Sequence, residues 1–194
     1  QILLEQGRAR HSMRALGRVA YFGEAGRVRL KAVIVAERPA SFRLETLSPL
    51  EEPIEVVASD GNRLWVLSND RLREGPATPE NIARGLPLPL RPEDLVDTML
   101  GGFPTSPRFE PVRIAWTSEA RDQWVLRLSS AAGETEELIV DPALRIVVKT
   151  TVRDGAGRVR FTLDFADFAP ITGEGGAALG AFPRKIEFRE PGKE

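Results

Sequence analysis

The 194 residues include no cysteine. That removes disulfides, thiol nucleophiles and thiolate metal sites together, and it leaves the redox compartment open. Histidine occurs once, as His11. A Ser-His-Asp triad would have to use it, and no nucleophile-elbow motif is present. A metal role is equally poorly supported, because imidazole needs a positioned partner and no second histidine exists. His11 therefore reads as an exposed surface residue. No apolar run approaches the roughly 20 residues that a membrane-spanning helix requires. Charge of one sign is also lacking: the net charge is -1, so no global field draws the chain to nucleic acid or anionic lipid. Lysine is scarce, with four against 23 arginines.

A hydrophobic share of 42% and a charged share of 28% are ordinary for a globular protein, and 194 residues suffice for one domain with a real core. The chain begins at Gln1 without an initiator Met, which suggests a removed upstream segment. Residues 1–14 read as a lead-in, either a short amphipathic helix or a partly ordered stretch. Residues 15–190 read as the domain.

From Ala15 the apolar pattern has a period of two. GRVAYF runs into a turn at Gly23-Glu-Ala-Gly26, and VRLKAVIVAE places Val28, Leu30, Ala32, Ile34 and Ala36 on one face. Phe42 and Leu44 alternate with Arg43 and Glu45. Two further strands flank Asp60-Gly61, a strong hairpin signal because both residues tolerate positive φ. Thr78-Pro79-Glu80 then opens a short helix bearing Ile82 and Leu86. Pro92 opens another bearing Leu95, Met99 and Leu100, which Gly101-Gly102 ends. Both are too short to stand alone and must dock on an apolar surface. Between them runs Leu86-Pro-Leu-Pro-Leu90, a stiff aliphatic segment that cannot pair as a central strand. Strand patterns resume from Val112, and Thr172 to Gly180 reads as a flexible loop.

The fold class expected is mainly β with a small α insertion. About ten or eleven strands are expected to form a single strongly curved antiparallel sheet. The absence of a βαβ rhythm excludes a parallel α/β architecture.

Acid-base chemistry finds little support. Glu136 and Glu137 are consecutive on a strand and point to opposite faces, so they cannot easily share a substrate. Glu93 and Asp94 are explained as first-turn helix charges. Gly23-Glu-Ala-Gly26 and Gly173-Glu-Gly-Gly176 match neither the phosphate-loop nor the dinucleotide pattern. The aromatics occupy alternating strand positions that a core would use, rather than a nucleic-acid stacking platform. No catalytic residue, metal site, cofactor or nucleic-acid partner is expected.

The stretch from Phe42 to Pro104 resembles the LolA/LolB-like lipoprotein-carrier superfamily, and its LolB side most closely. Three features carry this: the Ser48-Pro49-Leu50 corner, the acidic-aliphatic strand Pro53 to Ala58, and the helix–Leu-Pro-Leu-Pro-Leu–helix order of Ala83 to Gly102. The resemblance implies an open half-barrel whose concave face the helices cover, and a periplasmic receptor anchored to the outer membrane by an N-terminal lipid, with residues 1–14 as the linker from that anchor. It would accept triacylated lipoproteins from a LolA-like chaperone and deliver them to the inner leaflet of the outer membrane, working as a monomer. A soluble LolA-like chaperone or a lipoprotein-sensing module on the same fold is the alternative, and an envelope-polymer hydrolase is a third class. Acyl chains would occupy a cavity lined by Leu30, Ile34, Leu44, Val56, Ile82, Leu86, Leu88, Leu90, Leu95, Met99, Phe103, Trp116 and Phe161. Pro49 and Leu50 would form the membrane-contact loop. Glu51 and Glu52 follow directly, where the family usually has small or neutral residues, and carboxylates resist burial in lipid.

Overall fold

The structure, a computed structural model, describes residues 9–23, 26–104, 109–117 and 123–191, with side chains for 9–20, 29–104 and 123–191. The chain divides into two compact units. The first, Arg10–Leu100, holds strands β1 (Ser12–Gly23), β2 (Gly26–Glu37), β3 (Ser41–Leu47), β4 (Pro53–Ser59), β5 (Arg63–Ser68) and β6 (Arg71–Pro76). Helices α1 (Pro79–Gly85) and α2 (Pro92–Met99) follow. The second, Gly101–Glu194 with Gln1–Ala9, holds β7 (Phe109–Thr117), β8 (Gln123–Ser130), β9 (Thr135–Asp141), β10 (Ile146–Arg153), β11 (Val159–Thr172) and β12 (Ala178–Arg189).

Each unit is one antiparallel meander in sequence order, β1 to β6 and β7 to β12. The chain is thus mainly β with two short helices, as expected, but the single strongly curved half-barrel of ten or eleven strands is not what forms. Two six-stranded sheets form instead, neither closed nor strongly curled. The physical reason lies after β6: the strand ends at Pro76, which has no N–H to extend a ladder, and the chain leaves for two helices before β7 starts a separate sheet.

In the first sheet the alternation works as elementary pleat geometry requires. Ala15, Gly17 and Val19 of β1 pair with Ile34, Ala32 and Leu30 of β2, and Ile34, Leu44, Val57 and Val66 continue across the sheet as direct partners. Helix α2 packs on β2 and β3, and α1 packs on β5. Ile82, Leu95, Val96 and Leu100 are fully buried, which supplies the apolar docking that such short helices need. Gly85 lets α1 approach closely, since a Cβ there would lie 3.2 Å from Val66 and 3.3 Å from Val57.

Turn chemistry fixes the registers. The Asp60 carboxylate accepts from the amides of Asn62 and Arg63 at 2.8 and 2.7 Å, and Gly61 adopts φ 98°. Asn69 and Asp70, both at positive φ, close a two-residue hairpin into β6. Periodicity does not predict that strand, because Arg-Leu-Arg-Glu shows no apolar face. The lead-in is shorter than expected: β1 starts at Ser12 rather than Ala15, and residues 1–8 lie outside the described residues. The expected loop from Thr172 to Gly180 is mostly ordered, with β11 running to Thr172, a 3-10 turn at Glu174–Gly176 and β12 starting at Ala178.

Candidate functional site

The first unit gathers most of the residues expected to contact acyl chains. Leu44, on β3, faces the helices together with Val57 and Val66. Ile82, Leu86, Leu90, Leu95 and Met99 are buried, whereas Leu30, Ile34 and Leu88 are partly exposed. The Leu-Pro-Leu-Pro-Leu segment keeps its own hydrogen bonds: Leu88 donates to the Leu86 carbonyl at 2.6 Å and Leu90 to the Leu88 carbonyl at 2.7 Å. Each proline is thus the centre of a three-residue turn, and the leucines stay free to point apolar side chains.

Val56 needs correction. It pairs directly with Glu45 and Leu67, so it shares their face and not that of Leu44. Alternation with charged Glu55 taken as outward puts Val56 inward, but Glu55 pairs with Thr46 on the face of Leu44, and Val57, the direct partner of Leu44, shares that face. In the second unit Phe103 and Phe161 are buried, and Phe161 stacks on Phe188 with ring centroids 5.4 Å apart. The Trp116 side chain lies outside the described residues; its backbone on β7 pairs with Trp124.

The Ser48–Glu52 corner is built by one hydroxyl. Ser48 Oγ accepts from the amides of Leu50 and Glu52, both at 3.2 Å, while the Ser48 amide donates to the Glu52 carbonyl at 2.8 Å. Leu50 is left 83% exposed at the tip. Glu51, at φ 65°, turns its carboxylate back to Lys31, whose ammonium donates at 2.6 Å. That hydrogen bond, with the charge attraction behind it, holds the Glu51 carboxyl below the usual carboxylate range. One of the two acids beside Leu50 is therefore neutralised by a cation from β2, which the linear sequence does not reveal.

A polar cluster beneath α2 is likewise hidden from sequence reasoning. The Arg38 guanidinium forms an ion pair with Asp97 and donates through Nε to the Arg10 carbonyl at 3.0 Å. Arg91 grips Asp94 with two bonds of 2.9 Å. Arg10 is itself buried, and burial, then the neighbouring Arg38 charge, lowers its pKa. Asp97 falls among Leu95, Val96, Met99 and Leu100 in sequence, and that placement inside an apolar run is the one signal that could have found it. These groups join α2 to the start of β1 and the β2–β3 turn.

Other chemistry finds no assembly. His11 is exposed, 3.8 Å from Glu37, a carboxylate that β1–β2 pairing brings near. Glu137 bonds Arg127 at 2.7 Å on the exposed side of β9, whereas Glu136 is wholly buried, so the two do point apart. Among the described residues no group of three or more His, Asp or Glu is placed to hold a metal ion. No described helix is long and apolar enough to cross a membrane. An open depression on the β5–β6 hairpin is lined by Asn62, Arg63, Glu74, Gly75 and Pro76, whose polar character does not suit an acyl chain.

No family model and no curated protein sequence matches the chain. Solved structures do. A LolA superfamily protein from Nitrosomonas europaea is similar at 14% identity and a TM-score of 0.61, over 98% of this chain and 84% of the other. A Vibrio parahaemolyticus domain described as a putative outer membrane lipoprotein-sorting protein is similar at 13% identity and 0.57, over 100% and 93%. A DUF1329 family protein from Desulfovibrio piger is similar at 9% identity and 0.65, over 99% and 85%. At these identities the likeness is one of fold, and the chain has the fold seen in LolA superfamily structures.

Proposed function

We propose that this chain is a periplasmic lipoprotein carrier of the LolB kind. It accepts triacylated lipoproteins from a LolA-like chaperone, holds their acyl chains among apolar side chains, and delivers them to the inner leaflet of the outer membrane. An N-terminal lipid would anchor it there. The observation that carries this reading is a sheet face lined by Ile34, Leu44, Val57 and Val66 beneath two short helices, in a fold shared over nearly its whole length with a lipoprotein-sorting domain. Binding needs no broken bond: each methylene moved from water to an apolar site contributes about 0.8 kcal/mol, so acyl chains exchange between sites of similar polarity. Leu30, Ile34, Leu44, Ile82, Leu86, Leu88, Leu90, Leu95 and Met99 are the proposed acyl-chain contacts of the first unit, with Phe103, Trp116 and Phe161 in the second.

Pro49 and Leu50 are the proposed membrane contact. The Ser48 hydroxyl holds the tip out, and Lys31 neutralises Glu51 beside it. Leu50→Glu changes an exposed tip and leaves folding and uptake intact. It is expected to slow lipoprotein transfer into liposomes, because another carboxylate raises the cost of touching lipid. Measured uptake and transfer rates for the two proteins test this. Equal transfer would demote the corner to a turn and favour a soluble chaperone or a sensor.

A further inference from the structure

The β1 strand carries two arginines and no acid, and it forms an edge of the first sheet. Arg14 and Arg18 flank Leu16 on the side away from the helices, and all three are exposed, Leu16 by 70%. Arg18 stands directly opposite Lys31, and Ala20 opposite Arg29, so Arg29 joins the same face. Like charges set opposite each other are unfavourable unless an anion lies between them. Lys31 has Glu51. Among the described residues, Arg14, Arg18 and Arg29 have no ion pair, although carboxylates occupy other rows of this sheet.

Apolar side chains share this surface. Leu16, Val33, Val56, Leu67 and Leu72 form one cross-strand row interrupted only by Glu45, itself bonded to Arg43 at 2.5 Å. Leu16, Leu67 and Leu72 are exposed and Val33 is half-buried, whereas Val56 is buried. The pairing of Lys31 with Leu47 puts the Ser48–Glu52 corner beside Lys31, at the end of the sheet towards which Arg18 and Arg29 lie. A protein partner would be expected to find a compact apolar pocket with a packed anchor. This surface instead offers separated aliphatic groups between long cationic stems. Such stems lie along apolar surface while their guanidinium groups reach phosphate oxygens in pairs of hydrogen bonds.

We infer that this outer face of β1 and β2 docks on an anionic phospholipid bilayer, with Arg14, Arg18 and Arg29 binding headgroup phosphates and Leu16 entering the interface beside Leu50. The inference rests on the carrier reading for its biological sense, since it deepens the membrane-contact corner into a two-point surface. Neither point alone suffices for stable attachment, and apolar insertion combined with cationic attraction does.

The test is flotation of the protein with vesicles of pure phosphatidylcholine and of phosphatidylcholine with roughly 30 mol% phosphatidylglycerol, an anionic content to which basic clusters respond. Wild type is expected to partition onto the anionic vesicles and to be released by high salt. Arg14→Gln, Arg18→Gln and Arg29→Gln combined should weaken that partition by roughly tenfold or more. The same variant should melt normally and still take up lipoprotein. Equal binding to both vesicle types, undiminished binding by the triple variant, or binding to polyglutamate without vesicle binding would each overturn the inference, the last pointing to an acidic protein. Failure of lipoprotein uptake by wild type is read separately and bears on the carrier reading alone.

Discussion

Gly61 illustrates how a single residue holds the first sheet in register. Its φ of 98° lies in a region that side chains rarely adopt, and a Cβ would come within 2.8 Å of the Ala40 methyl. Gly61→Ala therefore meets both strain and a clash, and should lower unfolding free energy by roughly 2 kcal/mol in urea titrations. A change under about 0.5 kcal/mol, the size usual for neutral surface substitutions, would mean that the turn relaxes freely. Asp60-Gly61 is legible in the sequence because turn chemistry is local. The Lys31–Glu51 contact is not, because its partners are 20 residues apart and only the β2–β3 register brings them together. Val56 is misplaced by pattern for a related reason: Glu55 reads as the outward residue of β4 by its charge, yet the β3–β4 register pairs it with Thr46 on the face of Leu44.

Helix α2 belongs to the next scale. It opens at Pro92, places Glu93 and Asp94 in its first turn, and ends before Gly101. Gly101 has a φ of 71°, and a Cβ there would lie 2.7 Å from Pro183, so a side chain at this position meets both strain and a clash. These boundaries follow from capping rules and are legible in the sequence. How the helix is held is not. Asp97 faces Arg38 within an otherwise apolar contact, and removing one partner of a largely buried ion pair leaves the other charge uncompensated. Asp97→Asn is expected to destabilise the protein by roughly 2–4 kcal/mol. Arg38→Met combined with Asp97→Leu should recover much of that loss. Thermal unfolding of the single and double variants decides the matter, and an unchanged midpoint in Asp97→Asn would show that apolar packing alone docks α2. Strand β6 is hidden for the opposite reason: its Arg-Leu-Arg-Glu run lacks a buried face, and only the Asn69-Asp70 turn announces it.

Over the whole molecule, several carboxylates have folded-state pKa values below their ordinary ones. Glu51 is held down by Lys31, Asp60 by the Arg63 and Asn62 amides, Asp154 by the Arg158 amide, and Glu187 by Arg189 and Lys185. A depressed carboxylate contributes stability above its unfolded pKa and loses it as pH falls through the folded one. Melting temperature should therefore hold steady from neutral pH to about 5 and fall below about 4, the range where unfolded carboxylates titrate. Circular dichroism melts across that range would contradict this if the midpoint rose on acidification below about pH 4. At this scale the strand-rich class and the helical insertion are legible from periodicity, but the division into two sheets is not. Alternation defines which face of a strand is apolar and says nothing of which strands share a ladder. The central claim is acyl-chain binding, and native mass spectrometry of the protein mixed with a triacylated lipopeptide tests it most directly. The account predicts one lipopeptide retained per chain and none of the same peptide without its acyl groups; equal retention of both, or of neither by folded protein, would contradict it.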